Sequence, residues 1–208
     1  MSDRGVDEEK RATLRRFAAL GAASPLLGVR GDRGDEDEQP PDRSDVRDAI
    51  VGYLSTTPGA HFSKLRDDLK LGTGETQHHL RRLADEGAVE SRKFGDYRRF
   101  YLSGRFDPFE QVALGYLRKS TPRGMLVELL RTPAATGSDL ADALGVSRAT
   151  VSGHAKDLEA AGLLSREDGY AVSEPETVIT LLVRFADSFG EDAVAFAAEA
   201  ADYIRFDP

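Results

Sequence analysis

The sequence predicts a mainly α fold with small β-hairpins, in which one helical unit occurs twice and C-terminal helices follow. Two observations carry this. The pattern His61-x-x-x-Leu65-x-x-x-Leu69-x-Leu71-Gly72-Thr73, then Leu83-x-x-x-Gly87, returns 75 positions later as Thr136-x-x-x-Leu140-x-x-x-Leu144-x-Val146-Ser147-Arg148, then Leu158-x-x-x-Gly162. No gap is needed between Ile50–Val89 and Met125–Leu164, so one supersecondary unit is duplicated. After each copy comes a short two-stranded segment around a glycine-containing turn.

The 208 residues suffice for two small domains. No apolar run approaches 18 residues, so no membrane span is expected. Cysteine is absent, which excludes disulfides and thiolate metal sites and agrees with a reducing cytoplasm. The net charge of -8 is unevenly spread. Residues 42–107 carry 12 Lys+Arg against 11 Asp+Glu, and residues 108–173 carry 7 against 8. The tail from Glu174 carries 2 against 8, so the acidity lies mainly outside the repeats. Arg exceeds Lys by 22 to 6 and Asp exceeds Glu by 21 to 15, a bias that resembles cytoplasmic proteins of salt-loving archaea.

Along the chain, residues 1–27 contain an N-terminal helix, over about 7–27, with Leu14, Phe17, Ala18 and Gly21 on one stripe and Pro25 at its end. Its Arg15-Arg16 stretch also resembles a short twin-arginine export signal, but no A-x-A site follows. Residues 28–43 are rich in Gly, Asp, Glu and Pro and read as an acidic flexible linker. The first unit spans 44–104. Ser44 is the expected cap of a helix with Val46, Ala49, Ile50, Tyr53 and Leu54 inward. Pro58-Gly59 turns the chain, and a short second helix carries Leu65 and Leu69. Thr73 is the expected cap of a third helix over about 74–86, with Gly87 ending it. Residues 88–91 form a strand, Lys93 to Asp96 the turn, and Tyr97 to Leu102 the return strand.

The second unit, 105–173, opens with a linking helix over 108–119. Gly124–Leu130 matches the first helix of the earlier copy. Thr136 precedes Asp139 at capping-box spacing, and Ser147 caps the next helix. The hairpin that follows is four or five residues shorter than the first. Residues 174–208 form acidic C-terminal helices with a broad apolar surface. Val178, Leu181, Leu182, Phe185, Phe189 and Phe196 are expected to form a two-fold dimer interface or, alternatively, a brace on the same chain.

The succession of three helices and a hairpin resembles the winged helix-turn-helix domains of archaeal and bacterial transcription regulators, of the broad MarR-like and ArsR-like type. Pro58 to Phe62, Gly72-Thr73, His78 to Leu83 and Gly87 carry the likeness in the first copy. Gly137 to Ala141, Leu144 to Ser152, Leu158 and Gly162 carry it in the second, where Leu-Gly-Val-Ser before a helix is the more specific signature. The resemblance covers about 130 residues and implies tandem winged helix-turn-helix domains that place their third helices in the major groove of double-stranded DNA.

It assigns Thr73, Thr76, Gln77, His79, Arg81 and Arg82 of the first third helix to DNA, with Gln77 suited to adenine and an arginine to guanine. In the first hairpin, Arg92, Lys93, Arg98 and Arg99 are candidates for phosphate or minor-groove contact. In the second copy the candidates are Ser147, Arg148, Thr150, Ser152 and Lys156. High internal salt, if the compositional likeness holds, weakens phosphate attraction.

The expected function is therefore a sequence-specific regulator of transcription. The alternatives are a tandem scaffold that works mainly through protein contacts in transcription or chromosome maintenance, and an RNA-binding winged helix. No phosphate loop, nucleophile elbow or paired acid-base motif points to an enzyme. His61, His78 and His79 lack the carboxylate spacing of a metal shell, and His78 is expected to be half-buried. No cofactor is expected.

Overall fold

Helix boundaries follow the 75-residue repeat. In a computed structural model, residues 3–22 and 43–202 are described, and the chain divides into units Met1–Phe106 and Asp107–Pro208.

Unit 1 contains α1 (Asp3–Ala22), α2 (Arg43–Thr56), β1 (Ala60–His61), α3 (Phe62–Asp68), α4 (Thr73–Asp85), β2 (Val89–Phe94) and β3 (Tyr97–Leu102). Its core is the inward stripe of each helix: Ile50 and Leu54 of α2, Leu65 of α3, and Leu80 and Leu83 of α4, joined by Leu69, Val89 and Leu102. The sheet is antiparallel with order β1-β3-β2. Three details differ from the sequence reading. α2 starts at Arg43, so Ser44 lies inside its first turn. β1 was not anticipated, because two residues carry no periodicity. β2 continues to Phe94, which leaves Gly95-Asp96 as a two-residue turn in place of the expected Lys93–Asp96 turn. Gly95 has φ 58, the left-handed conformation that such a tight hairpin needs.

α1 starts at Asp3, earlier than expected, and its described part ends at Ala22; Pro25 and residues 28–42 of the acidic linker lie outside the described residues. Leu14 is buried in the core, and the Phe17 ring meets Tyr53 edge-on at 5.3 Å. The closest approach is between glycines. A Cβ on Gly52 would lie 1.8 Å from the Phe17 carbonyl oxygen, and one on Gly21 would lie 2.0 Å from that of Asp48. Backbones this near tolerate no side chain at the crossing.

Unit 2 contains α5 (Pro108–Leu117), α6 (Ser120–Arg131), α7 (Gly137–Leu144), α8 (Arg148–Ala160), β4 (Leu164–Ser165), β5 (Ala171–Val172), α9 (Pro175–Arg184), α10 (Ala186–Phe189) and α11 (Glu191–Glu199), then a 3-10 turn over Ala200–Asp202. α4 and α8 begin and end at the same repeat positions. The hairpins differ: Val89 pairs with Leu102, whereas Leu164 pairs with Val172, a loop five residues shorter.

The tail corrects an expectation. Val178, Leu181, Leu182, Phe185, Phe189 and Phe196 are all buried within their own chain, so they do not form an exposed face for a second copy. α9 and α11 pack on α5 and α6, and three arginines, one just past the end of α5 and two in α6, fasten the tail. Arg118 donates to the Ser188 carbonyl at 2.6 Å and lies over the Phe189 ring. Arg123 makes a two-pronged ion pair with Asp192, at 2.8 and 2.9 Å. Arg131 reaches Glu199 at 3.2 Å and the Phe196 ring at 5.9 Å.

Candidate nucleic-acid interface

The chain enters α4 through an extended Gly72, which is the N-cap residue; Thr73 is the first helical residue and not the cap. Glycine has no side chain to accept from the first-turn N–H groups, and only the reverse half of a capping box remains: Gly72 N–H donates to Glu75 Oε2 at 3.1 Å. In the second copy Ser147 occupies the same position and caps directly, its Oγ accepting from Thr150 N–H at 3.0 Å. The helix before the turn is capped equivalently in both copies, by His61 Nδ1 accepting from Lys64 N–H at 3.2 Å and by Thr136 Oγ1 accepting from Asp139 N–H at 3.3 Å. At the turn itself Lys70 has φ 54 where the second copy has Gly145 with φ 62.

Leu80 and Leu83 anchor α4 to the core, which leaves Thr73, Gln77, His78, Arg81 and Arg82 exposed. Thr76 and His79, expected on the solvent face, are buried. They follow Leu80 and Leu83 around the helix at spacings of three and four, so they share the inward side. Thr76 Oγ1 donates to the Gly72 carbonyl at 2.9 Å. The two histidines thus exchange the expected roles, with His79 inside and His78 outside.

Strand alternation sorts the hairpin. Arg92, Lys93 and Arg98 are exposed, whereas Arg99 is 4% exposed and faces the interior with Tyr101. Arg99 donates to the Gly59 carbonyl at 2.8 Å and lies over the Phe94 ring. Burial pushes its pKa below the ordinary arginine value. Arg99 is thus a structural tie between the hairpin and the Pro58-Gly59 turn, and its candidacy as a phosphate ligand is withdrawn. Neighbours in a strand point to opposite faces, so Arg98 and Arg99 cannot serve one surface.

α4 and the β2–β3 hairpin meet in a groove of about 670 Å³. Phe62, Leu80 and Phe100 give it apolar walls, and Gln77, Arg81 and Arg98 give it polar ones. Arg98 is steadied by Ser91, whose Oγ accepts its hydrogen bond at 3.1 Å. The walls of Phe62, Leu80 and Phe100 were missing from the sequence reading, because apolar residues in an amphipathic pattern are assigned to the core by default.

The second copy is built differently. Arg148 donates to Ser138 Oγ at 2.8 Å, and Ser147 and Thr150 are engaged in capping each other at 2.8 Å. Ser152 and Lys156 remain exposed on α8. In the hairpin Arg166 pairs with Glu159 at 2.8 Å, closing an ion pair between hairpin and helix end. Among the described residues no group of three or more metal-ligating side chains gathers, and no helix is long and apolar enough to cross a membrane.

Comparison with known proteins agrees with this geometry. Residues 44–114 match a family model described as an N-terminal HTH domain, and residues 113–170 match the MarR family. Both copies are winged helix-turn-helix domains, and the second is MarR-like. An uncharacterized HTH-type transcriptional regulator of Methanocaldococcus jannaschii is 31% identical over 127 residues, 61% of this chain. The chain spans 32% of that relative's length. The tandem winged helix-turn-helix architecture therefore rests on element order, caps, hairpins and sequence likeness together.

Proposed function

We propose that the protein is a sequence-specific double-stranded DNA-binding regulator of transcription that works in the cytoplasm. In this reading α4 enters the major groove, Gln77, Arg81 and Arg82 face base edges or phosphates, and Arg92, Lys93 and Arg98 of the first hairpin contact the backbone or minor groove. The observation that carries the proposal is the groove in which Gln77 and Arg81 of α4 meet Arg98 of the hairpin. Cations from two elements converge there on one concave surface, an arrangement that suits a polyanion. The relative's description as a transcriptional regulator supports the same reading.

The second copy contributes less electrostatic attraction, since Arg166 is held by Glu159 and the exposed face of α8 is mostly small and polar. Ser152 and Lys156 remain its candidates for groove contact. The test is a mobility shift of duplexes from the protein's own upstream region across a series of salt concentrations, with structured RNA as competitor. Retardation of discrete duplexes that RNA does not displace is expected. Absence of binding to any genomic duplex at low salt would overturn the proposal and favour the protein-contact scaffold.

A further inference from the structure

The reading helix of unit 1 carries an electrostatic conflict. Glu75 accepts from the Gly72 N–H in the first turn of α4, where a carboxylate is favourable. That same end of a reading helix approaches DNA, where a carboxylate repels phosphate. The second copy avoids the conflict by having Ser147 as cap and Thr150 at the position of Glu75.

Unit 1 resolves it from outside the repeat. Lys10 of α1 donates to Glu75 Oε2 at 2.9 Å, and both side chains are partly buried, 23% and 32% exposed. Burial opposes ionisation of Glu75. The hydrogen bonds from Lys10 and Gly72, with the Lys10 charge, outweigh it and hold the carboxyl below its ordinary pKa. One residue earlier, Glu9 pairs with Lys70, the residue with positive φ in the turn. α1 thus grips both sides of the turn that presents α4. Its own place is set by Leu14 and by the glycine crossing at Gly21 and Gly52. Both family matches begin after α1, at residues 44 and 113, so Lys10 lies outside the matched unit.

We propose that Lys10 is a positioning residue for DNA binding: by neutralising Glu75 it lets that carboxylate accept from Gly72 at the start of the reading helix without repelling the phosphate backbone. The proposal rests on the DNA-binding reading above. Its test is a double-mutant cycle of wild type, Lys10→Met, Glu75→Gln and the double variant, measured by anisotropy on a duplex that wild type binds, over a series of salt concentrations. Glutamine keeps the oxygen acceptor for Gly72 and removes the charge.

Lys10→Met is expected to weaken binding about 3- to 10-fold at low salt, with the loss shrinking as salt screens the unmasked Glu75 carboxylate. Glu75→Gln is expected to bind at least as tightly as wild type. The double variant is expected to match Glu75→Gln, and Lys10→Arg to match wild type. A merely structural role for Lys10 would lower the thermal midpoint and would not be rescued by removing the Glu75 charge. Equal losses from Lys10→Met in both backgrounds would overturn the proposal, as would wild-type affinity in Lys10→Met. If wild type binds no duplex, the DNA-binding reading itself fails and this proposal with it; any bound duplex separates the two.

Discussion

At the repeat position where unit 2 sets Glu159 against Arg166, unit 1 has Ala84 and Ser91. That pair of differences separates two hairpins of common descent. In unit 2 the hairpin cation is tied to the end of α8 by an internal carboxylate. In unit 1 the helix has no acid there, and Ser91 hydrogen-bonds Arg98 without cancelling its charge. The two copies share the side-chain cap of the helix before the turn, the left-handed turn position and the core stripe, while the charge on their hairpins differs. The units also differ in what braces them: α1 packs on α2 through glycines, whereas α9 to α11 pack on α5 and α6 through apolar side chains and three arginines.

The largest expected effect tests the second brace. Phe196 is fully buried, and Phe196→Ala should destabilise unit 2 by about 3–5 kcal/mol, read by chemical denaturation. A loss below about 1 kcal/mol would mean that the tail is not part of that core.

Next, Arg99 and Arg98 should separate stability from binding. Removing the buried Arg99 tie should cost about 1–3 kcal/mol in unit 1. Arg98→Ala at the surface should change stability by less than about 0.5 kcal/mol. The same denaturation curves check both.

A smaller effect is acid sensitivity. Burial raises the Asp192 pKa, but the hydrogen bonds and charge of Arg123 prevail and depress it overall. A carboxyl depressed on folding contributes stability above its unfolded value, and that contribution is lost as pH falls through the folded value. Wild type should therefore lose stability more steeply than Asp192→Asn below about pH 4. Parallel curves would contradict this.

The smallest expected effect concerns the turn. Lys70→Gly should be stabilising by up to about 1 kcal/mol, because it relieves the left-handed lysine in the manner of Gly145, less what the exposed Glu9 pair contributes. Thermal melting would show it.

Much of this architecture was legible in the sequence because caps and glycine turns are local. Thr136 with Asp139, Ser147, and the glycines at 87 and 162 all mark element ends by their own chemistry. Placement of the site residues was less legible. Thr76, His79 and Arg99 are polar and were assigned outward, yet helical and strand periodicity alone already put them on the buried side. The tail's wide apolar coverage implied a covering surface without identifying it; α5 and α6 of the same unit supply it. The pairing of Lys10 with Glu75 joins residues 65 positions apart, and nothing local signals it.

One affinity measurement tests the proposed difference in function between the two hairpins most directly. Arg98→Ala and Arg166→Ala are compared with wild type on the same bound duplex, at the same salt concentration. Arg98→Ala should lose about 5- to 10-fold and reduce the salt slope by about one, while Arg166→Ala should bind within about 2-fold of wild type. Equal losses, or a loss confined to Arg166→Ala, would show that the two hairpins do not differ in this way.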